Sequence, residues 1–409
     1  SQVRQSLRCR SPCVYLAGRA WLTPVLRFVR WVALARSNNH TSEGLNVNFK
    51  RLGTIGAIAV AGTILLSSCA ANEGGTTEPT TGPALSGTID GAGASSQGSA
   101  QEAWIAAFQT ANPDLTINYD PSGSGAGREA FIAGGVAFAG TDSSLKQEEI
   151  DGGFAGCTPD TGYIQVPAYI SPIAVIFNVE GVDKLNLDAA TLAKIFKGDI
   201  TTWDDAAIVA LNKDAKLPSA PITAVHRSDD SGTTKNFADY LFQNAPDVWT
   251  EKPADPFPYA TGEAAQGTSG VVDAVTNGTN TIGYADASKA GDLGTAAIQV
   301  GTEFVSYSAE AAAKVVDESP AGDTNNGTTD LSIKINRTTT DATHYPLVLV
   351  SYIVTCTEFV DAEVAPLVKG YITYITSQDG QAEAAASAGS APLSAALSDK
   401  VATALEAIK

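Results

Sequence analysis

The chain has 409 residues and carries 44 acidic against 26 basic side chains, so its formal net charge at neutral pH is −18. A chain of this length exceeds the usual size of one hydrophobic core, which predicts two lobes or domains. The acidic balance excludes a nucleic-acid partner, because phosphate backbones are held by clustered Lys and Arg. Taken alone, it also argues against a small anionic ligand.

The charge is unevenly distributed along the chain. Residues 1–51 carry nine basic side chains and one acidic side chain, a balance of +8, so residues 52–409 carry −26. Lys50 and Arg51 precede an uncharged run from Leu52 to Leu66. As a helix this run would span about 22 Å, short of the ~30 Å hydrocarbon core of a membrane. A basic start, a short apolar run and small residues after it are typical of a secretion signal.

The tetrad LSSC at residues 66–69 resembles a bacterial lipobox, in which the cysteine is lipidated and becomes the new N-terminus. We therefore expect residues 47–69 to be a lipoprotein signal peptide with Cys69 as the lipidation site. Residues 70–84 are rich in Gly, Thr and Pro, as expected of a flexible tether. The alternative is a chance cysteine beside a stalled transmembrane helix.

Residues 1–46 fit neither the signal nor the tether. They are Arg-rich, show no apolar pattern and precede a complete signal, and the chain contains no methionine. We therefore expect translation to begin near Val47 at a non-AUG codon, with residues 1–46 as upstream read-through.

From residue 85 onward, short apolar strands alternate with helical stretches, which is typical of an α/β protein. In chain order the apolar spacing predicts strands at 86–90, 115–119, 136–139, 163–166, 173–177, 222–225 and 346–355, and helices at 100–110, 191–196, 234–242 and 359–375. The polar stretch 318–330 is predicted to be a loop, and no internal repeat is evident.

Three Gly/Ser-rich turns stand out, each between a predicted strand and a helix. Turn 1 is residues 91–96 (GAGASS), turn 2 is residues 122–128 (SGSGAGR) and turn 3 is residues 226–234 (HRSDDSGTT). Glycine lets the backbone approach a ligand closely, and a helix N-terminus presents unpaired N–H groups with a favourable dipole. If the turns converge, they form a cradle for an oxyanion built largely from neutral dipoles.

Arginine strengthens this interpretation. After the signal the chain has only Arg128, Arg227 and Arg337, and the first two lie inside turns 2 and 3. A guanidinium offers a fork of donors suited to a tetrahedral anion. One Gly/Ser turn is usually an ordinary loop, but three turns, two of them with scarce arginines, favour a binding site.

Enzyme motifs are absent from the sequence. It contains no G-x-S-x-G, no G-x-x-x-x-G-K-[ST] and no H-E-x-x-H, and only His226 and His344 follow the signal, so a His-rich metal centre is not supported. Asp142, in the segment FAGTDSSL, follows a predicted strand and could face the oxyanion cradle. The alternative for Asp142 is a helix N-cap, a role that aspartate often fills.

Of the five cysteines, Cys9 and Cys13 lie in the upstream segment and Cys69 is the expected lipid site. Cys157 and Cys356 remain as an even pair in an exported domain, where disulfides form. We expect these two to be bridged; the alternative is two buried free thiols.

Five segments occur in the order and at spacings similar to those of the phosphate-binding protein of bacterial phosphate ABC importers, namely GAGASS, YDPSGSGAG, FAGTDSSL, TLAKIFKGDITTWDD and HRSDDSGTT. The resemblance covers roughly residues 85–400. Together with the lipobox it resembles an actinobacterial lipoprotein member of that family. The resemblance implies a two-lobe periplasmic-binding-protein-like α/β fold of type II, with two crossing strands that act as a hinge.

The resemblance also implies a ligand set. Carried over by position, the residues that would contact phosphate are Ser95, Ser96 (through its backbone), Ser124, Asp142, Arg227, Ser231, Gly232 and Thr233. Asp229 resembles an acid that orients the arginine. Ser95 and Ser96 stand where other members have Thr and an aromatic residue, and Arg128 falls on no binding position of the family.

Mapped onto this chain, the first lobe would take residues 85–168 plus 346–409 and the second lobe residues 169–345. The implied function is extracytoplasmic capture of inorganic phosphate and its delivery to the permease subunits of an ABC importer. The protein would be held on the outer face of the cell membrane by the lipid at Cys69, with no cofactor, no metal and no catalysis.

Selectivity is expected to come from Asp142. Phosphate at neutral pH still carries protons and can donate one to a buried carboxylate, whereas sulfate offers only lone pairs, and an unpaired buried charge costs several kcal/mol. The alternatives are a binder of sulfate or molybdate, an exported phosphohydrolase, and an acidic surface adhesin.

Overall fold

The computed structural model describes residues 85–409. The expected signal peptide, the lipidation site Cys69, the tether and the upstream segment lie outside the described residues. Within the described part of the chain, no helix is long and apolar enough to cross a membrane.

Eleven strands form one continuous mixed sheet in these 325 residues. They are β1 Gly87–Gly93, β2 Leu115–Asp120, β3 Phe138–Thr141, β4 Tyr163–Asn178, β5 Leu185–Leu187, β6 Thr223–Arg227, β7 Glu263–Ala265, β8 Thr281–Asp286, β9 Gly294–Val300, β10 Glu303–Val305 and β11 Val348–Cys356. The strand order is β2-β1-β3-β11-β4-β8-β6-β7, and β9 pairs with β4 and carries β5 and β10.

Eleven α-helices cover this sheet in the described residues. They are α1 Gly98–Ala111, α2 Ser124–Ile132, α3 Gln147–Gly152, α4 Ala189–Lys197, α5 Ala206–Leu211, α6 Gly232–Asn244, α7 Gly267–Asn277, α8 Ala309–Asp317, α9 Val364–Thr376, α10 Gln378–Ala388 and α11 Ala395–Leu405. Their termini show the expected chemistry. In α4, for example, the Asp188 carboxylate accepts the N–H of Thr191 at 2.6 Å, and Gly198 ends the helix in the left-handed region.

The sheet divides into two strand groups that share β4. The first strand group is β2, β1, β3 and β11, and the second is β8, β6 and β7 with β9, β5 and β10 beside them. The first part of β4, through Pro172, pairs with β11, and its last part, from Ile173, pairs with β8. Strand β4 therefore carries the chain from one group into the other.

The sequence pattern predicted two separate strands, 163–166 and 173–177, where β4 runs unbroken through Pro167 and Pro172. A proline removes one ladder donor. The pairing of β4 with β11 absorbs this through a register shift at Ser351 and Tyr352, and it continues to the pair of Pro172 with Val348.

The helix predicted from residue 359 begins instead at Val364. Residues 359–363 are held by the loop that contains the disulfide: Phe359 forms a β-bridge with Cys157, and the N–H of Val360 donates to the carbonyl of Gly156 at 3.1 Å. These contacts take backbone groups that a helical turn would use. The predicted bridge between Cys157 and Cys356 is confirmed.

Buried aromatic side chains form the core on both sides of β4. In the first strand group Phe138 packs against Tyr371 with ring centres 5.6 Å apart, and in the second Phe237 stacks on Tyr284 at 4.2 Å. All nine residues of β11 are buried, as its continuous apolar sequence predicts for a central strand. The carboxyl ends of β1, β2, β3 and β6 carry the segments that form the site described next.

Candidate functional site

Three turns and the end of β3 meet at one place between the two strand groups. The N–H of Gly123 in turn 2 donates to the carbonyl of Gly93 in turn 1 at 2.8 Å. The hydroxyl of Ser124 accepts the N–H of Asp142 at 3.1 Å, and the hydroxyl of Thr233 in turn 3 donates to the Asp142 carboxylate at 2.9 Å. The three Gly/Ser-rich turns and the segment that contains Asp142 are therefore in direct contact.

Asp142 lies at the centre of these contacts and is 5% exposed. Its Oδ1 accepts hydrogen bonds from the hydroxyls of Ser96 and Ser351, both at 2.6 Å, and its Oδ2 accepts the bond from Thr233. Burial raises the pKa of Asp142, although these hydroxyls and the charge of Arg227 act in the opposite direction. Asp142 is not a helix N-cap, because α3 begins at Gln147 and Lys146 occupies the cap position.

Arg227 ends β6 and is oriented by Asp229. Its Nε donates to Asp229 Oδ1 at 2.7 Å, and its Nη2 forms a second bond to Oδ2. The N–H of Gly267 also donates to Asp229 Oδ1, at 3.0 Å. Burial acts to raise the pKa of Asp229, but the hydrogen bond and charge of Arg227 outweigh it and the pKa is lowered. Asp229 therefore fixes the orientation of the Arg227 guanidinium at the start of turn 3.

The residues at the start of α6 have different environments. The hydroxyl of Ser231 accepts the N–H of Thr234 at 3.1 Å, so Ser231 is the N-cap of α6. Gly232 is pressed against the other strand group: a Cβ at Gly232 would lie 2.7 Å from both Asp142 Cβ and Ser124 Oγ. The N–H groups of this first turn have no intrahelical acceptor and carry the positive end of the helix dipole.

Ser95 and Ser96 point in different directions. The hydroxyl of Ser95 lies 3.0 Å from the hydroxyl of Thr268 and accepts the N–H of Thr268 at 3.0 Å. The Ser95 side chain thus connects turn 1 to α7, whereas the Ser96 hydroxyl is the one that contacts Asp142. The family resemblance implied instead that the hydroxyl of Ser95 and only the backbone of Ser96 act at the site.

Sequence reasoning missed Ser351 and Gln97. The Gln97 amide donates to the Ser351 hydroxyl at 2.7 Å, and that hydroxyl donates to Asp142, so a chain of polar groups fixes the carboxylate. A signal existed, because Ser351 is a single small polar residue within the apolar strand sequence PLVLVSYIVT. Buried polar groups are nearly always hydrogen-bonded, so such a serine needs a partner.

The arrangement can bind an anion without changing it. It combines one guanidinium, hydroxyl donors, the N–H groups of a helix start and a single buried carboxylate that can accept a proton donor. Among residues 85–409 there is no cluster of His, Cys, Asp and Glu that could hold a metal ion.

Comparison with known proteins identifies the family. The PBP superfamily domain matches residues 78–379. Phosphate-binding protein PstS 3 of Mycobacterium leprae is 32% identical over 325 residues, which cover 75% of this chain and 86% of that relative. Phosphate-binding protein PstS 2 of Mycobacterium tuberculosis is 30% identical over 378 residues, covering 88% of this chain and all of that relative.

The fold is also that of solved phosphate-binding proteins. A phosphate-binding protein from Stenotrophomonas maltophilia is similar with a TM-score of 0.59 at 20% identity, over 77% of this chain and 93% of that one. The match of the whole domain and the identity over most of the chain lead to the same assignment. The chain belongs to the PBP superfamily and, within it, to the PstS family of phosphate-binding proteins.

Proposed function

We propose that this protein captures inorganic phosphate between two lobes and releases it to the permease of an ABC importer. It is an extracytoplasmic, phosphate-binding solute-binding protein of a phosphate ABC transporter, and its relatives are not enzymes.

The observation that carries the proposal is the environment of Asp142. A carboxylate that is buried, and that accepts hydroxyl donors from Ser96, Ser351 and Thr233, still has acceptor capacity because its two oxygens offer about four lone-pair sites. A P–OH group can fill that capacity. Sulfate has no proton to donate. Its negative charge would therefore face the Asp142 carboxylate without a hydrogen bond between them.

The proposed ligand set surrounds this carboxylate. We propose that phosphate is bound by Arg227, by the hydroxyls of Ser95 and Ser124 and the backbone of Ser96 in turns 1 and 2, and by Ser231, Gly232 and Thr233 at the start of α6. The Ser231 hydroxyl accepts the capping bond from Thr234, so Ser231 contributes to the site by forming the N-terminus of α6. Asp229 holds the Arg227 fork in place.

We further propose that the two strand groups belong to two lobes, residues 85–168 plus 346–409 and residues 169–345. The hydrogen bond from the Gly125 N–H to the Asp230 carbonyl, 2.9 Å, and the bond from the Thr233 hydroxyl to Asp142 then lie between lobes and would form on closure. A lipid at Cys69 would hold the protein on the outer face of the cell membrane, near the permease subunits.

Isothermal titration of the purified chain with phosphate, sulfate and molybdate tests the function. We expect one phosphate to bind per chain, reversibly and more tightly than either competitor. Tighter binding of sulfate or molybdate would show that the ligand is that oxyanion and not phosphate. Absence of any binding would contradict the proposal.

A further inference from the structure

The guanidinium of Arg128 donates to no residue of the proposed ligand set. It lies in α2, four residues after Ser124, and is 3% exposed. Its Nε donates to Glu149 at 3.0 Å, its Nη1 to the hydroxyl of Thr141 at 3.2 Å and its Nη2 to Asp255 at 2.7 Å. The first two partners belong to the same proposed lobe as Arg128, and Asp255 belongs to the other.

Asp255 is joined to the first lobe a second time. The hydroxyl of Ser143, which follows Asp142, donates to Asp255 Oδ1 at 2.5 Å, while Arg128 holds Oδ2. Both carboxylate oxygens of Asp255 are therefore bound by groups of the first lobe. Because Asp255 is 4% exposed and Ser143 is 2% exposed, water does not compete for these bonds in this conformation.

The backbone of Asp255 links these bonds to the proposed phosphate site. Its carbonyl accepts the N–H of Ser231 at 3.0 Å, and Ser231 is the N-cap of α6. One residue thus contacts the first lobe through its carboxylate and the start of α6 through its carbonyl.

The charges around Asp255 favour its ionised form. Burial acts to raise the pKa of Asp255, but Arg128, the Ser143 hydroxyl and the nearby Lys235 outweigh it, and the pKa is lowered. Burial acts to lower the pKa of Arg128, but the carboxylates of Asp255 and Glu149 raise it overall. Both partners therefore remain charged at neutral pH.

We propose that Arg128, Ser143 and Asp255 form a latch between the lobes that slows the release of bound phosphate. The inference rests on the proposed function, because the latch lies between lobes only if the chain closes and opens around its ligand. Opening separates Asp255 from Arg128 and Ser143 and frees the N-cap of α6 from the first lobe. Arg128 and Asp255 are positioning residues in this scheme and do not touch phosphate.

The latch acts on release more than on capture. Its bonds form only when the lobes meet, so they stabilise the closed state and leave the encounter of phosphate with the open protein unchanged. Losing one partner of a buried, hydrogen-bonded charge pair acts mainly on the dissociation rate. Arg128 keeps Glu149 and Thr141 in the open state, so opening does not leave its charge unpaired.

The test compares two isosteric changes on opposite sides of the same guanidinium. Asp255→Asn replaces one of the two carboxylate oxygens, which accept from Arg128 and Ser143, by an N–H₂ group. It therefore breaks one of the hydrogen bonds between the lobes. Glu149→Gln makes the same chemical change within the first lobe and is the matched control. Loss of radiolabelled inorganic phosphate from the full-length protein into excess unlabelled phosphate, followed by rapid filtration, measures the dissociation rate.

We expect Asp255→Asn to raise the dissociation rate about tenfold with the association rate within about twofold of wild type. Glu149→Gln should change both rates by less than about twofold. Ser143→Ala, which removes the neutral partner, should raise the dissociation rate about threefold to fivefold. This variant keeps both charges and tests the latch even if Asp255→Asn fails to fold.

Equal dissociation rates in Ser143→Ala, in any folded Asp255→Asn and in Glu149→Gln, with stoichiometric phosphate binding in each, would overturn the latch alone. A wild-type protein that retains no phosphate in the same assay would overturn the proposed function, and the latch with it.

Discussion

Asp142 receives hydrogen bonds from hydroxyls in three distant segments, at Ser96, Thr233 and Ser351. These donors hold the carboxylate in one rotamer and partly offset the cost of burying its charge. Their number also limits what else the carboxylate can accept, since three of about four lone-pair sites are taken. A ligand with a proton to donate fits the remaining site.

Replacing Asp142 by Asn tests this account of selectivity. The amide presents an N–H₂ group, which can donate to sulfate as readily as to phosphate, so the preference for phosphate over sulfate should fall by about tenfold to a hundredfold. Competition titration of phosphate against sulfate measures the ratio. The exposed Asp214→Asn, which makes the same change in net charge away from the site, should leave the ratio unchanged. An unaltered ratio in Asp142→Asn would contradict the role of Asp142.

At this scale the sequence predicted residues within compact motifs and missed those brought in from far away. Asp142 and the residues of turn 3 lie in segments whose own composition indicates a binding turn. Ser351 meets Asp142 across 209 positions, and Asp255 meets Arg128 across 127. No local sequence pattern predicts these contacts, because they depend on how the strands are ordered in the sheet.

Among the elements, α6 is the one on which the site depends most directly. Its first residue Gly232 and its second residue Thr233 lie against Asp142, and its N-cap Ser231 precedes them. Gly232 is needed for close approach, not for an unusual backbone angle, because a Cβ there would overlap Asp142 and Ser124.

Gly232→Ala should therefore weaken phosphate binding. The added methyl group would keep the start of α6 from Asp142 and Ser124, and we expect the dissociation constant to rise about tenfold or more, within the usual cost of overpacking a close contact. Gly98→Ala is the matched control, because Gly98 is the first residue of α1 and no atom lies within 4 Å of a Cβ placed there. Titration of both variants with phosphate measures their dissociation constants. Equal values would show that turn 3 shifts to accommodate the methyl group, and would contradict the prediction.

The elements themselves could be predicted in outline. Apolar alternation located β2 at its first residue, and the predicted helices 100–110 and 234–242 lie within α1 and α6. The prediction of two strands was wrong at β4, whose pairing with β11 continues past Pro167 to Pro172. The start of α9 was also misplaced, because the preceding residues are held by contacts with the loop of Cys157.

For the molecule as a whole, one buried carboxyl group lies where the two strand groups meet. Asp286 is the last residue of β8, is fully buried and accepts the hydroxyl of Tyr169 in β4 at 3.0 Å and the N–H of Ser288 at 3.0 Å. Its second oxygen has no hydrogen-bond partner among the described residues. Burial raises the pKa of Asp286 to about 6.

A carboxyl group whose pKa is raised in the folded state makes folding less favourable as it ionises. Between the ordinary value of 3.8 and about 6 the folded chain holds a proton that the unfolded chain has lost, so this group's contribution to stability falls as pH rises through that window. Above it the penalty is constant, and it amounts to at most about 3 kcal/mol.

Asp286→Asn should therefore stabilise the protein at pH 7.5 by about 1–3 kcal/mol, and by little at pH 4. Its amide oxygen can still accept from Tyr169 and Ser288. Urea unfolding of wild type and variant at several pH values gives the difference in the free energy of unfolding. The comparison cancels the opposite contribution of carboxylates with lowered pKa, such as Asp229. A difference that does not grow between pH 4 and pH 7 would contradict this assignment.

The net charge at this scale is strongly negative, −26 over residues 52–409, yet the proposed site is built to hold an anion. Charges farther than about 10 Å are screened in ordinary salt, so a buried site responds to its own dipoles and to Arg227. The expectation that acidity disfavours an anionic ligand fails for this reason.

The disulfide between Cys157 and Cys356 closes a covalent ring across a sequence separation of 199. Cys157 lies just before β4 and Cys356 is the last residue of β11, so the ring contains the second strand group and both strands that enter the first. A protease that cuts the backbone once inside this ring, for example in the loop at 318–330, leaves both fragments on one molecule. An extracytoplasmic protein with this bridge can thus be cut once in that loop without losing a fragment.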